Sequence, residues 1–409
     1  MAPRVVIVGG GMVGLAFAVA LAQTSHGACD IRLLEARSAP AGEPDPMDSR
    51  ASALSLASVE LLTRWGVWSE LAPHSAPINK IHVSNQRRFG SSEISAEDIA
   101  ESALGYVAEN HLIGRALLMR AAELNIAIDA PCSVHSLAKV QSPPGVILSD
   151  GSLCEADLVI IADGSDSRLR QQLGIDVEQR STQQTAAVVN VAFEGRQTGT
   201  AFERFTQNGP LAVLPLTTRV PNQARFNVVW SMDDVTAETM REQNNDIQFM
   251  ADLQVAFGWR LGAMLAIGQR SFWPLTRIRA REQGRPGYLV VGNAAHGIHP
   301  VAGQGFNLSL RDAQAFGKSA SAILRAGDSL AGGALVEDYR AAVSADQALI
   351  VDATDLLATL FNRRGPLLDL PRDAALVGLD LLPSLRRHIA RLGTGLVVAN
   401  SRIERGRRG

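Results

Sequence analysis

The sequence predicts an α/β protein: a Rossmann-like nucleotide-binding domain with an inserted mixed β-sheet domain and C-terminal helices. The first observation is a short apolar run at 4–8 that leads into a Gly-x-Gly-x-x-Gly motif. The second is a pair of similar runs, 158–161 and 288–291, each ending in a polar turn. The third is the change of pattern over 185–275, where strand-like segments precede a helical stretch.

Length and composition narrow the class of protein. The chain has 409 residues, which argues for two domains or one large elaborated domain, and 46% of them are hydrophobic, enough for a sizeable core. The net charge of −2 argues against nucleic acid as a partner. The three cysteines are odd in number and lack metal-ligand spacing, so we expect reduced thiols in a cytoplasmic protein. The apolar run 5–22 resembles a signal peptide, but its regularly placed glycines favour a strand, a turn and a buried helix.

The segments that predict nucleotide binding are far apart in the chain, so we expect a discontinuous nucleotide-binding domain with a second, substrate-facing domain between its parts. The predicted boundaries are 1–75, 106–180 and 276–335 for the nucleotide-binding domain, 76–105 and 181–275 for the substrate domain, and 336–409 for a C-terminal helical segment.

The first motif, Gly9-x-Gly11-x-x-Gly14, follows a strand and begins a helix. Gly9 permits a tight turn, Gly11 lets a pyrophosphate approach the backbone, and Gly14 lets helix and sheet pack closely. The free N–H groups of the helix start favour an anion there. Glu35, 21 residues after Gly14, ends the next strand and can accept a hydrogen bond from a ribose 2′-OH. This predicts dinucleotide binding without separating FAD from NAD.

Two further motifs favour FAD. Asp163 lies in an Ala-Asp-Gly turn after one strand, and Asn293 follows another, where its amide can hold a ribityl hydroxyl. The loop Pro300–Gly305 then leads into a helix. The positive end of that helix would face the N1–C2=O edge of a flavin and stabilise its anionic reduced form.

The three motifs, in this order and spacing, resemble the FAD-dependent aromatic hydroxylases related to p-hydroxybenzoate hydroxylase over nearly the whole chain. Several stretches resemble the ubiquinone-biosynthesis hydroxylases within that group. Most relatives in the wider superfamily have Asp at the position of Asn293. By this feature the chain most resembles the 2-polyprenyl-6-methoxyphenol hydroxylases, in which Asn occurs at that position. The stretches are Asp48-Ser49-Arg50-Ala51, Gly292-Asn293-Ala294-Ala295-His296, the run His299–Leu308, and Ala353-Thr354-Asp355.

The resemblance implies roles for individual residues. Glu35 would bind the adenosine ribose, Arg115 the pyrophosphate region and Asn293 the ribityl chain, with Arg50 near the flavin and Asp163 supporting the cofactor domain. The full cofactor-binding set is Gly9, Gly11, Gly14, Glu35, Arg50, Arg115, Asp163, Asn293, Gly303, Gly305 and Asn307. No residue is assigned as catalytic; His299, Pro300, Gly303 and Gln304 are expected nearest the flavin. The substrate candidates are Leu214, Pro215 and Trp230.

The implied reaction is hydroxylation of a polyprenylated phenol in ubiquinone biosynthesis. NAD(P)H would reduce FAD, O₂ would form a flavin C4a-hydroperoxide, and the phenol ring would attack the distal oxygen. Because there is no second Gly-x-Gly-x-x-Gly motif, NAD(P)H should dock only transiently. The protein would orient the ring, stabilise the flavin anion and exclude water, with no essential charged base.

Three alternatives remain open at this stage. The first is a hydroxylase that acts at another ring position or on a soluble aromatic acid. A buried arginine that pairs with a substrate carboxylate would favour the acid, whereas an apolar tunnel would favour the prenylated phenol. The second is a flavin oxidoreductase without oxygen insertion. The third is a non-catalytic member of a biosynthetic assembly that keeps FAD for structure.

The remaining signals are weaker. His296 and His299 are three residues apart with no third ligand nearby, so we expect no metal.

The last 24 residues carry seven arginines, and Glu404 is the one acidic residue among them. This basic tail fits either peripheral contact with the inner membrane or with other quinone-biosynthesis proteins, or a helix packed on the core with a solvated end. The second interpretation is slightly favoured.

Overall fold

The computed structural model describes most of the chain, including all segments that carry the first two motifs. The strands are β1 (Arg4–Val8), β2 (Asp30–Leu34), β3 (Ala51–Ser55), β4 (Ala76–Ile78), β5 (Lys80–Asn85), β6 (Ser91–Ser95), β7 (Gly105–Glu109), β8 (Ala127–Asp129), β9 (Val134–Leu137), β10 (Gly145–Leu148), β11 (Leu153–Glu155), β12 (Leu158–Ile161), β13 (Val177–Glu194), β14 (Thr200–Phe205), β15 (Pro210–Leu216), β16 (Gln223–Asp233), β17 (Met264–Ile267), β18 (Ser271–Ala280), β19 (Gly284–Arg285), β20 (Tyr288–Val290) and β21 (His296–Gly297). The α-helices are α1 (Met12–Ser25), α2 (Leu56–Arg64), α3 (Trp68–Leu71), α4 (Asn110–Glu123), α5 (Arg168–Gln172), α6 (Asp234–Glu242), α7 (Asp246–Phe257), α8 (Gln304–Ala326) and α9 (Gly333–Asn362). The described residues are 2–38, 45, 47, 50–86, 91–138, 143–196, 199–218, 220, 222–242, 245–297, 304–362, 387–388, 390–391 and 394–395.

The nucleotide-binding domain is built on a six-stranded sheet with the order β19-β20-β12-β1-β2-β8. β1 pairs in parallel with β2 and β12, and β12 pairs in parallel with β20. Val5, Val6 and Ile7 are buried in the central strand, as expected where both faces of a parallel sheet are covered. The Rossmann-like fold predicted from the sequence is therefore confirmed.

Helices α1 and α8 pack closely beside this sheet because small residues lie where they cross. A Cβ added at Gly317 would lie 2.6 Å from Thr24 Oγ1 and 2.9 Å from the Ala20 carbonyl oxygen. Phe17 of α1 contacts Phe316 of α8, with ring centroids 5.5 Å apart. A side chain larger than hydrogen at position 317 would push the two helices apart.

The second large sheet is the inserted one, with the order β21-β18-β13-β16-β15-β14-β5-β6 and β17 paired to β13. Most neighbours are antiparallel, while β14 and β5 are parallel, so the sheet is mixed as predicted. One face of this sheet packs on α6 and α7, and we call it the outer face. Val191, Phe193 and Trp230 on this face share one core with Phe249 of α7. The opposite, inner face meets the nucleotide-binding domain, since Leu216 of β15 shares a core with Val107 of β7, and Leu214 packs against that core.

Sheet membership differs slightly from the predicted domain boundaries. Residues 76–78 form β4, which pairs with β7 in a small sheet with β3 instead of joining the large sheet. The large sheet also takes residues 177–180 and 276–280, which the sequence assigned to the nucleotide-binding domain. The long strands β13 and β18 pair beyond those boundaries.

The C-terminal helix α9 packs on α8. Arg311 Nε of α8 donates to Asp346 Oδ2 of α9 at 2.7 Å, and both side chains are buried. Further along, Ala390 and Thr394 are buried and the Thr394 carbonyl accepts from Ala57 N–H. These contacts agree with the core-packed interpretation for that stretch, while most of 363–409 lies outside the described residues. No helix in the described part of the chain is long and apolar enough to cross a bilayer.

The ion pair between α8 and α9 should contribute strongly to stability. Asp346→Asn leaves the Arg311 charge buried without a counter-ion, so we expect the free energy of unfolding to fall by about 3–5 kcal/mol. Urea denaturation followed by circular dichroism measures this loss. The control is Lys80→Ala, which removes an exposed ion pair with Glu93 and should change the free energy of unfolding little. Equal effects of the two substitutions would contradict the prediction.

Candidate active site

The three sequence motifs meet at one edge of the first sheet. β20, β12, β1 and β2 are adjacent parallel strands, so their carboxyl ends lie along the same edge. Gly9 follows β1, Glu35 follows β2, Asp163 follows the end of β12, and Asn293 follows the end of β20. In open α/β sheets, ligands bind in the crevice at this edge.

The motif glycines divide into two kinds by what surrounds them. A Cβ at Gly9 would overlap the Ala162 carbonyl, and one at Gly14 would overlap the Gly9 carbonyl, so these glycines serve internal packing. Gly9 also has a φ of +108°, which side chains rarely adopt. A Cβ at Gly11 meets no protein atom within 4 Å. The space over Gly11, at the start of α1, therefore fits the close approach of a pyrophosphate, as FAD binding requires.

Glu35 is held beside this turn by backbone donors. Its Oε2 accepts from Gly10 N–H at 2.6 Å and its Oε1 from Arg37 N–H at 2.9 Å. The carboxylate thus lies next to the glycine turn, where it can accept from a ribose hydroxyl. This position fits the role that the sequence predicted for it.

Arg170 joins the second motif to the third. Its buried guanidinium donates to the Ser165 carbonyl at 3.2 Å and to the Ala294 carbonyl at 2.7 Å. Asp163 receives hydrogen bonds from Ser167 and from the Leu169 backbone, which fits a supporting role in the turn.

Asn293 itself is exposed at the sheet edge, and its side chain has no hydrogen-bond partner within the described part of the chain. Its amide is thus available to a ribityl hydroxyl. The position of Asn293 fits the cofactor contact that the resemblance implied.

Asn307 has a structural role through its buried side chain. Its Oδ1 accepts from Ser55 N–H at 2.9 Å and from Ser58 Oγ at 2.7 Å, and its Nδ2 donates to the Ala53 carbonyl at 2.8 Å. The buried amide therefore ties α8 to β3 and α2. The side chain of Asn307 thus positions the start of α8, and the predicted flavin contact of this residue stays a prediction.

The other predicted cofactor residues have mixed outcomes. Arg50 lies with its guanidinium carbon 5.0 Å from the centroid of the Trp273 ring, at the junction of the two domains. Arg115 is exposed on α4. Gly305 lies in the first turn of α8, and a Cβ there would meet no atom within 4 Å. Gln304 begins that helix. His299, Pro300 and Gly303 lie outside the described residues.

His296 does not form part of a metal site in the described structure. Its Nε2 lies 2.9 Å from Asp312 Oδ2, and the same oxygen accepts from Gln347 Nε2 at 2.9 Å. Both His296 and Asp312 are buried. No group of three candidate ligands comes together among the described residues. The histidine instead links β21 to α8 and α9.

A row of five residues crosses the centre of the inner face in register, and we call it the inner strip. All five are half-buried, although they lie inside the sheet, whereas their outer-face neighbours along each strand are almost fully buried, with the exception of Arg204. The inner strip is therefore a surface inside the molecule that is partly open. Its members are Val83, Glu203, Ala212, Val229 and Val188.

Of the predicted substrate residues, only Leu214 lies on this side of the sheet. Leu214 is half-buried, one step from the inner strip along β15. Pro215 alternates with it and is buried. Trp230 lies in the outer core, where its indole N–H donates to Thr206 Oγ1 and its ring contacts Phe249. This corrects the prediction for Trp230, because strand alternation directs its side chain away from Leu214.

Glu203 is the ionisable member of the inner strip. The neighbouring Arg204 points to the outer face, where its Nε donates to the Ala256 carbonyl of α7. Burial raises the pKa of Glu203 from its ordinary value to about 7, and no charged group contributes to that rise. The carboxyl is therefore partly withdrawn from water and can change its charge near neutral pH.

A second polar group on the inner face is an ion pair between the domains. Arg225 of β16 pairs with Glu109, the last residue of β7, and both side chains are largely buried. Asn227 Nδ2 donates to Asn190 Oδ1 at 2.7 Å in the same region. Sequence reasoning did not find these residues, because only the register of distant strands brings them together.

Comparison with known proteins agrees with this geometry. The FAD binding domain family matches residues 3–352. The chain belongs to this family. It is an FAD-dependent aromatic-ring monooxygenase, as its motifs predicted. A ubiquinone hydroxylase, UbiL, of Rhodospirillum rubrum is 32% identical over 96% of this chain and 89% of its own length.

Other relatives share nearly the full length. The 3-demethoxyubiquinol 3-hydroxylase of Escherichia coli is 32% identical over 96% of this chain and 98% of its own. The solved structure of p-nitrophenol 4-monooxygenase from Pseudomonas putida covers 94% of this chain and 96% of its own, with a TM-score of 0.76 and 17% identity. That structure supports the fold, and the sequence relatives confirm the predicted resemblance to ubiquinone-biosynthesis hydroxylases.

Substitution at Gly11 should separate cofactor binding from folding. Its φ of −67° suits any residue and a Cβ meets no protein atom, so Gly11→Val should melt like the wild-type apoprotein. The valine would occupy the space over the turn, and we expect the purified variant to lack FAD absorbance near 450 nm. Gly14→Ala is the contrasting variant: it should lower the melting temperature through overlap with the Gly9 carbonyl. A yellow Gly11→Val protein with normal flavin content would refute this.

The raised pKa of Glu203 should be visible in stability. A folded-state pKa above the unfolded value means that the protonated carboxyl stabilises the fold at low pH, and this contribution is lost as pH rises through about 7. Glu203→Gln cannot ionise, so its melting temperature relative to wild type should increase between about pH 5 and about pH 8. Glu194→Gln, at an exposed end of β13, should show no such trend. Parallel curves for Glu203→Gln and wild type would contradict the assignment.

Proposed function

We propose that this enzyme hydroxylates a polyprenylated phenol in ubiquinone biosynthesis, with NAD(P)H as reductant and O₂ as oxygen donor. The observation that carries the proposal is the 32% identity to a ubiquinone hydroxylase over nearly the whole of both chains. The 3-demethoxyubiquinol 3-hydroxylase matches with the same identity and coverage of this chain.

The inner face supports a phenol with an apolar substituent over a soluble aromatic acid. A site for an aromatic acid would need a buried arginine that can pair with the substrate carboxylate. Arg225 is the cation that β16 presents on the inner face, and Glu109 already neutralises it. Four of the five members of the inner strip are aliphatic or alanine, and Leu214 lies beside them. Such a surface fits a ring that carries hydrocarbon and few charges.

FAD, when bound, supplies the redox chemistry by taking a hydride from NAD(P)H and carrying oxygen to the ring. The chain's own residues bind and orient. Gly11 and the start of α1 would hold the pyrophosphate, Glu35 the ribose and Asn293 the ribityl chain; the open space over Gly11, the backbone-held Glu35 and the exposed Asn293 support these roles. NAD(P)H needs no domain of its own if it docks transiently. Peripheral contact with a membrane, or with other quinone-biosynthesis proteins, would give the enzyme access to a prenylated substrate.

Oxygen insertion distinguishes this proposal from a flavin oxidoreductase. With 2-farnesyl-6-methoxyphenol, NADH or NADPH and ¹⁸O₂, the FAD-loaded enzyme should form a product that contains one ¹⁸O atom. Mass spectrometry of the extracted product measures the label. Unlabelled product, or hydrogen peroxide without hydroxylation, would exclude a monooxygenase acting on this phenol. 4-Hydroxybenzoate is the matched soluble acid and should not be hydroxylated.

The pathway assignment has its own test in the source organism. Deleting the gene should cause a quinone precursor that lacks one hydroxyl to accumulate, and its structure identifies the ring position. Complementation with the wild-type gene is the positive control, and the Gly11→Val gene, which encodes a protein expected to lack FAD, should not complement. Unchanged ubiquinone levels in the deletion strain would contradict the assignment.

A further inference from the structure

The inner strip combines an apolar surface with a single ionisable group. Glu203 is flanked in register by Val83 of β5 and Ala212 of β15, and Val229 follows on β16. Within the described residues, no hydrogen bond or ion pair reaches the Glu203 side chain. An unpaired carboxylate that is partly withdrawn from water destabilises a fold. A carboxyl retained at the centre of this surface therefore points to a ligand with a hydrogen-bond donor.

The donor is identified by the chemistry of the surroundings. Charged groups near Glu203 are directed elsewhere: Arg204 reaches the Ala256 carbonyl and Ser84 on the outer side, and His82 stacks near Phe202 on that same side. On that face β15 presents Ala212 and Leu214, and β5 presents Val83 directly opposite Glu203 and the uncharged amide of Asn85 one step further along. A ligand that fits has an apolar body and one uncharged O–H group, which is the description of an alkylated phenol.

We propose that Glu203 accepts the hydroxyl hydrogen of the bound phenol and thereby activates its ring for hydroxylation. This inference rests on the proposed function, because it requires the phenol substrate named there. It also departs from the expectation that the reaction needs no essential charged base.

The proton transfer balances within the proposed reaction. The phenol O–H bond breaks and a carboxyl O–H bond forms on Glu203, which leaves the electron pair on the phenol oxygen. That pair delocalises into the ring and increases electron density at the ortho and para carbons. One of these carbons would form the new C–O bond to one atom of O₂, which FAD, when bound, would activate with two electrons from NAD(P)H, while the O–O bond breaks and the other oxygen atom leaves as water. The ring carbon then loses its hydrogen as a proton to water, and Glu203 returns its proton to the ring oxygen. Glu203 ends the cycle as a carboxylate.

The acid strength of Glu203 suits this role. With a pKa of about 7, the carboxyl is substantially ionised at neutral pH and is a stronger base than an ordinary glutamate. A phenol ionises near pH 10, so the proton stays mostly on the substrate until the ring begins to react. The base should therefore act in the transition state, which places its effect mainly on kcat.

The pH dependence of kcat for Glu203→Gln tests the proposal. With 2-farnesyl-6-methoxyphenol and the FAD-loaded enzyme, wild-type kcat should rise with pH and level off above about 7. Glu203→Gln should lose about 100-fold or more in kcat at neutral pH and should lack that rise. Its deficit should shrink above about pH 9, where the phenol begins to ionise without a base. KM should change much less than kcat.

Two further variants keep the outcome interpretable. Glu203→Asp retains a carboxylate and should keep the rise in kcat with pH, whereas Glu194→Gln, on the same sheet but exposed, should behave as wild type. Normal FAD content and normal reduction by NAD(P)H in Glu203→Gln would show that the rest of the site is intact. If wild type hydroxylates the phenol and Glu203→Gln matches its kcat and pH profile, the role assigned to Glu203 is wrong. If wild type inserts no oxygen, the proposed function fails first.

Discussion

The constraint on which the rest of the structure depends is the close contact between the start of α1 and the turn after β1. Gly14 has no room for a Cβ against the Gly9 carbonyl, and Gly9 has none against the Ala162 carbonyl. Three backbone segments therefore approach each other at distances that side chains would prevent. This contact aligns the helix start with the carboxyl edge of the sheet, leaves Gly11 facing open space, and brings the turn at Asp163 beside the first motif.

From that edge, polar contacts extend the arrangement to distant parts of the chain. Arg170 connects the turns after β12 and β20, and Asn307 connects α8 to β3 and α2. The Arg225–Glu109 pair then joins the nucleotide-binding domain to the inserted sheet. Each of these groups is buried or nearly so, where hydrogen bonds and ion pairs fix relative positions more firmly than on the surface. These contacts therefore fix the relative positions of the sheet edge, α8 and the inserted sheet.

Much of the nucleotide site could be predicted from the sequence because local rules determine it. A strand, three spaced glycines and an acid after the next strand are each consequences of short-range geometry, and Gly11, Glu35 and Asn293 lie where those rules put them. The substrate-facing residues, in contrast, are determined by strand alternation and by the register of strands that are distant in the sequence. Trp230 was assigned by residue type, but strand alternation turned it outward, and Glu203 became apparent only when the register of β5, β14 and β15 was known. The side-chain bonds of Asn307 depend on residues about 250 positions earlier, which no local pattern reveals.

The strand order of the first sheet has a consequence for synthesis on the ribosome. β1 is the first strand made, and it can pair early with β2, but its other neighbour β12 ends at Ile161 and the next strand, β20, ends at Val290. At ~5–20 residues per second, the nascent chain therefore waits on the order of tens of seconds before the sheet is complete. Throughout that interval one edge of an apolar strand has no partner, which makes the growing polypeptide a natural client for chaperones.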